Sequence, residues 1–116
     1  MTAFYEVIPA PDAASLPANR PGNEILTARL TTPGDAARVF AETRFDGSAT
    51  AFTSASPDFR FAAAVAEFGM ILRDSRYKGS GDLAAVLRWA EEARGDDPTG
   101  ERRAFVESVR KAASLL

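Results

Sequence analysis

The chain contains neither cysteine nor histidine. Without cysteine there is no disulfide and no thiolate nucleophile, and the sequence does not indicate whether the protein works in a reducing or an oxidising compartment. Without histidine, the usual general base near neutral pH, the commonest metal ligand and the usual base partner of a nucleophilic serine are missing. We therefore expect no catalytic residues, no metal site, no cofactor and no enzymatic activity.

Excess charge of one sign and long apolar runs are also lacking. The 116 residues carry a formal net charge of −2 at pH 7, which offers no basic surface for a phosphate backbone. The longest apolar stretch, around Phe61 to Val65, is far too short to cross a bilayer. We expect neither nucleic-acid binding nor direct membrane insertion by this segment.

The composition that remains is that of an ordinary globular domain, with 46% hydrophobic and 26% charged residues. A chain of this length usually forms one domain around one core. Residues 1–55 carry strand-like patterns, whereas residues 56–116 carry helical ones. The sequence predicts a single α+β domain over residues 1–116, in which a small antiparallel β-sheet of about three strands packs against three α-helices.

Three strands are predicted, over Thr2–Ile8, Glu24–Thr31 and Arg38–Phe45. The proline-rich stretch Pro9–Asn23 reads as a long surface excursion between the first two. Thr32–Asp35 has the composition of a tight turn, so the second and third strands are predicted to form an antiparallel hairpin. The positions predicted to face inwards are Phe4 and Ile8, Leu26 and Leu30, and Val39 and Phe45.

The first predicted helix begins at Ser56, which can cap it, with Pro57 at its first position. Large apolar residues recur at i, i+4, i+7 and i+11 and predict its buried face: Phe61, Val65, Phe68 and Leu72. Most other positions are small, and the side chains expected to need water are Arg60, Glu67 and Arg73. This helix is predicted to lie at the centre of the core.

The second predicted helix is capped by Ser80 or Asp82 and ends at Gly95, which is expected to have a positive φ. Its apolar stripe is Leu83, Val86, Leu87 and Ala90. The third helix is predicted to have Asp97 as its cap and Pro98 at its first position. Its predicted buried face is Phe105, Val109, Ala112 and Leu116.

Carboxylates are densest around the corner between the second and third predicted helices, at Glu91, Glu92, Asp96, Asp97 and Glu101. Helix capping accounts for Asp97 and Glu101, so we interpret the group as a solvated helix face plus a cap. Residues 94–96 spell the Arg-Gly-Asp tripeptide that integrins bind. A helix end explains all three residues separately, and we interpret them as a structural corner.

Three segments resemble a known family. Ser56–Gly69 is the densest in matching residues, and Thr2–Pro9 and Ala93–Gly100 add to it. Together they resemble the C-terminal domain of bacterial von Willebrand factor type A proteins of the YfbK type, over about residues 2–113. The resemblance implies that the chain is one domain of a longer protein with an upstream von Willebrand A module. It also implies a parent that faces the bacterial cell envelope or is anchored in it.

Asp46, Gly47, Ser48, Ala49 and Thr50 mimic the start of the metal-ion-dependent adhesion site of von Willebrand A domains. In those domains the motif follows a fully buried parallel strand. The residues before it here, 42–45, alternate in polarity and carry charge instead. We interpret the motif as a turn that leaves the third strand.

The expected function is that of a non-enzymatic interaction or structural domain, appended to a von Willebrand A module and docking within the parent protein or to protein partners. The candidate interface residues are Phe4, Tyr5, Ile8 and Trp89. An open edge of the first strand is expected to pair with the upstream domain or with another copy of the chain.

An alternative is a small-ligand or peptide-binding domain that uses a groove between sheet and helices. Its candidate polar groups are Arg60, Arg73 and Arg76. A concave site with convergent charges would favour this alternative, whereas an exposed apolar patch would favour docking.

Overall fold

The computed structural model describes residues 2–6, 26–45 and 49–115. It divides into two units, one of Met1–Phe4 with Ala51–Leu116 and one of Tyr5–Thr50. The first holds three helices and the second an antiparallel sheet, so the α+β class is confirmed. The sequence passes from one unit to the other after Phe4 and again after Thr50, and the second boundary is close to the predicted change from strands to helices.

Strands β1 (Leu26–Thr32) and β2 (Asp35–Phe45) form a two-stranded antiparallel sheet within the described part of the chain. Pro33 and Gly34 connect them. Gly34 has a φ of +85°, the conformation that a type II turn needs at its third residue and that glycine adopts without strain. The predicted hairpin is confirmed.

The register of the hairpin is irregular at its turn end. Leu30 faces Ala41, but the next residue, Thr31, faces Val39, so a residue of β2 is left over as in a β-bulge. Leu30 and Val39 are both exposed. The prediction that they face inwards was wrong, because alternation along a strand shows which side chains share a face but not whether another element covers that face.

Residues 2–6 have no regular secondary structure, so the predicted first strand does not form there. Ile8 and the predicted excursion Pro9–Asn23 lie outside the described residues. The Phe4 ring packs edge-to-face against the ring of Phe59, with centroids 5.5 Å apart. This aromatic contact holds the N-terminal segment without any strand pairing.

Helix α1 (Pro57–Leu72) begins where the sequence predicts. Ser56 is its N-cap, and the Ser56 hydroxyl accepts a hydrogen bond from the Phe59 N–H at 3.2 Å. Pro57 fills the first position, where the missing N–H costs nothing. Arg73 ends the helix, with its N–H donating to the Gly69 carbonyl.

The buried side of α1 differs from the predicted one. The residues that pack inwards are Phe61, Ala64, Phe68 and Ile71. Val65 and Leu72, which were predicted to be buried, are 43% and 56% exposed. Because α1 is apolar on nearly all sides, its period alone did not determine which side meets the neighbouring helices.

Helix α2 (Leu83–Glu92) is capped by Asp82, whose carboxylate accepts a hydrogen bond from the Ala85 N–H at 2.7 Å. Of the predicted apolar stripe, Val86 and Ala90 are fully buried, and the two leucines pack against them. Gly95 follows the end of the helix with a φ of +57°, as predicted.

Helix α3 (Glu101–Ala113) begins later than predicted, with Gly100 as its N-cap. Asp97 nevertheless serves the helix start, because its two carboxylate oxygens accept hydrogen bonds from the N–H groups of Arg102 (3.2 Å) and Arg103 (2.8 Å). Residues 97–100 form a turn before the helix, closed by a bond from the Gly100 N–H to the Asp97 carbonyl.

The centre of the helical unit consists of small side chains. The buried hydrophobic residues are Ala64, Val86, Ala90, Ala93, Val106 and Val109. Around them pack larger residues, including Phe105 of α3, whose ring meets Phe61 and Phe68 at centroid distances of 5.4 and 5.5 Å. These aromatic contacts join α1 to α3. Leu116, predicted to be buried, lies outside the described residues.

Candidate docking surface

The side of α1 that faces away from the core is apolar along the whole helix. We call it the outer face of α1, and it consists of Phe59, Ala62, Val65, Ala66, Gly69 and Leu72. At 100° per residue, these positions fall within about 140° of the helix circumference, opposite Ala64 and Ile71. Phe59 is 49% exposed, and Val65 and Leu72 are similarly exposed. Three large apolar side chains are therefore exposed to solvent along this side of α1.

A groove runs beside this face, between α1 and the N-terminal segment. It has a volume of about 400 Å³ and is lined by Thr2, Phe4, Phe61, Ala62, Val65 and Ala66. Phe4 forms one of its walls and is held there by its contact with Phe59. Apart from the Thr2 side chain, the lining side chains are apolar, so the groove suits apolar side chains of a partner.

Charged residues stand only at the two ends of the outer face. Asp58 lies in the first turn of α1, and its side chain is largely exposed although it pairs with Arg102 of α3. Arg73 lies at the C-terminal end and is exposed. Each charge suits the partial charge of its own helix end.

The arginines of the predicted ligand site are not brought together on α1. Arg60 and Arg73 stand thirteen residues apart on the helix and its C-cap, which corresponds to roughly 20 Å. The Arg60 side chain is mostly buried and pairs with Glu92 of α2, with an N to O distance of 3.6 Å. Arg76 lies over the ring of Tyr77, with its guanidinium carbon 4.7 Å from the ring centroid. Arg60 and Arg76 thus have partners within the chain.

Of the predicted interface residues, Phe4 and Tyr5 are exposed, and Ile8 lies outside the described residues. Trp89 is half-buried and packs on Phe52, with ring centroids 4.8 Å apart. Phe4 adjoins the outer face of α1 through its contact with Phe59. The outer face itself was missed from the sequence, because Val65 and Leu72 were assigned to the core.

Three members of the acidic group at the corner between α2 and α3, Glu91, Glu92 and Asp97, have partners within the chain. Arg110 pairs with Glu91, and the Asp97 carboxylate caps α3. The hydrogen bond from the Arg103 N–H lowers the pKa of Asp97 below its ordinary value of 3.8, helped by the bond from the Arg102 N–H. A hollow lined by residues 94–97 and Arg103 lies at this corner, and its shape follows from the cap.

Two polar residues that were expected in water, Arg60 and Glu67, are largely buried, and Glu67 is the more buried of the two. It was expected in water, but it is only 9% exposed, and its Oε1 makes no hydrogen bond in the described structure. A Cβ added to Gly81 would lie 1.7 Å from that oxygen. The missing side chain at Gly81 therefore leaves the space that the carboxylate occupies.

The described residues contain no group of three or more acidic, histidine or cysteine side chains arranged to hold a metal ion. Residues 46–48 of the adhesion-site-like motif lie outside the described part, and Ala49 and Thr50 have no regular secondary structure. None of the described helices is both long and apolar enough to span a bilayer.

Comparison with known proteins gives a match over residues 1–115 to the family described as "Uncharacterized protein YfbK, C-terminal". The chain belongs to this family. A relative from Escherichia coli (strain K12), the "Uncharacterized protein YfbK", is 40% identical over 57 residues, which cover 49% of this chain. The matched part spans about a tenth of the relative, 10% of its length. No solved structure matches this YfbK C-terminal domain.

Proposed function

We propose that this YfbK C-terminal domain is a non-enzymatic interaction domain that binds protein through the outer face of α1. The observation that carries the proposal is the exposure of Phe59, Val65 and Leu72 along one side of a helix whose other side is packed in the core. Contiguous exposed apolar surface is costly in water and commonly marks an interaction site. The domain would act as a structural module of a longer protein, beside a von Willebrand A module.

The groove supports the same role. A protein partner can insert an apolar side chain between Phe4 and Val65, where the lining offers almost no polar group for orienting a small polar ligand. The arginines that a small-ligand site would need are spread along α1 or have partners within the chain.

Because these 116 residues contain no cysteine, a thiol introduced into the domain can be followed by the mass of the peptide that carries it. We would compare Val65→Cys, on the outer face, with Ala104→Cys, at an exposed position of α3. In the dilute purified domain, both thiols should react freely with a maleimide. In cells that express the protein at its native level, the thiol at position 65 should react about tenfold more slowly, because a bound protein excludes the reagent. Equal reaction of the two thiols in cells would contradict the proposal.

A further inference from the structure

We infer that the partner of the outer face of α1 is the same face of a second copy of the chain, with the two helices antiparallel. The inference rests on the proposed function and names its partner. It is carried by a symmetry in the order of the residues along the outer face and by the charges at the two ends of the helix.

The outer face is self-complementary about its midpoint, which lies between Val65 and Ala66. Two copies can pair about a two-fold axis that passes through this point. A residue on one side of the point in one copy then lies at the same height along the helix axis as the residue equally far on the other side in the second copy. Phe59 is then level with Leu72 of the second copy, and Ala62 is level with its Gly69. Large residues therefore lie at the ends of the contact and small ones inside it.

The small residues allow the two helices to approach closely. Ala62 and Gly69 lie near the line that joins the two helix axes, where their small side chains let the helices pack at the usual spacing of about 8 to 10 Å, with Phe4 at the edge of the contact beside Phe59. Val65 lies next to the two-fold axis, so it contacts its own counterpart. The groove beside Val65 and Phe4 gives the approaching apolar side chains a place to enter.

The end charges select the antiparallel arrangement. Asp58 and Arg73 lie at equal distances from the midpoint, so antiparallel pairing places each at the level of the opposite charge of the second copy. Parallel pairing would place like charges at the same level. The Asp58 side chain is 85% exposed despite its contact with Arg102, and no ion pair of Arg73 is found within the described residues.

Disulfide cross-linking tests this geometry directly, using a variant that carries both Ala62→Cys and Gly69→Cys. The two positions are about 10.5 Å apart along one helix, too far for a bond within one chain. In the antiparallel pair, position 62 of one copy faces position 69 of the other copy. A side chain at Gly69 meets no atom within 4 Å in the monomer, so this substitution leaves the fold intact.

We expect the double-cysteine variant to form covalent dimers on mild oxidation. The two single-cysteine variants should form no covalent dimers. In the antiparallel pair, position 62 of one copy is about 10.5 Å from position 62 of the other, and the same holds for position 69. Cross-linking of the single variants at the rate of the double variant would overturn the antiparallel arrangement.

Sedimentation equilibrium gives an independent measurement. The wild-type chain should gain mass with concentration, and Val65→Arg should weaken the association about tenfold or more, because two cations would meet at the axis. Ala104→Arg adds the same charge on α3 and should leave the association unchanged. Circular dichroism verifies that both variants are folded.

Failure of this inference is distinguishable from failure of the proposed function. A strictly monomeric wild type, together with protection of the thiol at position 65 in cells, would overturn self-pairing and leave protein docking to a different partner. A monomeric wild type without that protection would overturn both.

Discussion

Arg102 of α3 lies over the ring of Phe61 of α1, with its guanidinium carbon 4.8 Å from the ring centroid. The same guanidinium donates a hydrogen bond to the carbonyl of Ala93, at the C-terminal end of α2, at 3.0 Å. It also pairs with Asp58 at the start of α1. One side chain from α3 thus contacts both other helices.

Replacing Arg102 with Gln should lower the free energy of unfolding by about 1 to 3 kcal/mol, because it removes a charged hydrogen bond to a helix end and a cation–π contact together. Arg88→Gln, at an exposed position of α2, removes the same charge and is the control. Urea denaturation measures both. If Arg102→Gln lowers the free energy of unfolding no more than Arg88→Gln does, the contacts of Arg102 do not hold the helices together.

Phe68→Ala and Leu72→Ala compare the two sides of α1. Phe68 packs against Phe105, so its truncation should leave a cavity and cost about 3 kcal/mol. Leu72 is exposed, so Leu72→Ala should lower the free energy of unfolding by less than about 1 kcal/mol. Thermal unfolding of the dilute protein distinguishes them, and equal losses would mean that the outer face of α1 contributes to the core.

Two glycines should respond to alanine in opposite directions. Gly95 has a φ of +57°, where a Cβ strains the backbone, so Gly95→Ala should cost about 1 kcal/mol even though no atom lies within 4 Å of the new methyl group. Gly69 lies inside helix α1, and a methyl group added there would also meet no atom within 4 Å. Gly69→Ala should therefore stabilise the folded protein by about 0.5 to 1 kcal/mol. Gly95→Asn is the control, because asparagine tolerates the left-handed conformation and should cost less than alanine.

Asp97 should make stability depend on pH. Its folded-state pKa is lowered from 3.8, first by the hydrogen bond from the Arg103 N–H. The carboxylate therefore stabilises the fold above its unfolded pKa, and this stabilisation is lost as the pH falls through the lower folded pKa. Asp97→Asn should be less stable than wild type at pH 7, and the difference should shrink below about pH 4.

Asp96→Asn is the matched control for that experiment, since it removes the neighbouring carboxylate outside the cap. Denaturation curves across the pH range measure both variants. A gap between Asp97→Asn and wild type that stays constant down to pH 2 would contradict a role for the ionised carboxylate.

Gly81 and Glu67 should be coupled. Gly81→Ala places a methyl group on the Glu67 carboxylate and should cost about 1 to 3 kcal/mol. Shortening Glu67 to Ala removes the clash, so the double variant should lose less stability than the sum of the two single variants. A double-mutant cycle measures this coupling, and strict additivity would show that the side chain moves away freely.

Local chemistry made parts of the fold predictable. Ser56 was recognised as a helix start, and Asp82 as one of two candidates with Ser80, because a capping side chain needs only the backbone of the following turn. The hairpin was recognised from Pro33 and Gly34, whose conformational preferences define the turn. The start of α3 was missed, because Asp97 reaches the helix across a turn that ends at Gly100.

Packing between distant residues was not predictable in the same way. The composition of α1 allows either side to be buried, so the exposure of Val65 had no signature in the sequence. The burial of Glu67 depends on the absence of a side chain at Gly81, fourteen positions later. Both outcomes depend on how α2 lies against α1, which no local pattern specifies.

The core of Ala64, Val86, Ala90, Ala93, Val106 and Val109 has few rotatable side-chain bonds. Alanine loses no rotamer freedom on burial and valine little, so fixing these side chains costs little conformational entropy. The same rigidity leaves no long side chain in the centre that could fold back to admit an extra methyl group. Enlarging substitutions at these six positions should therefore be harmful more often than shortening ones, the reverse of a core built from leucine and phenylalanine.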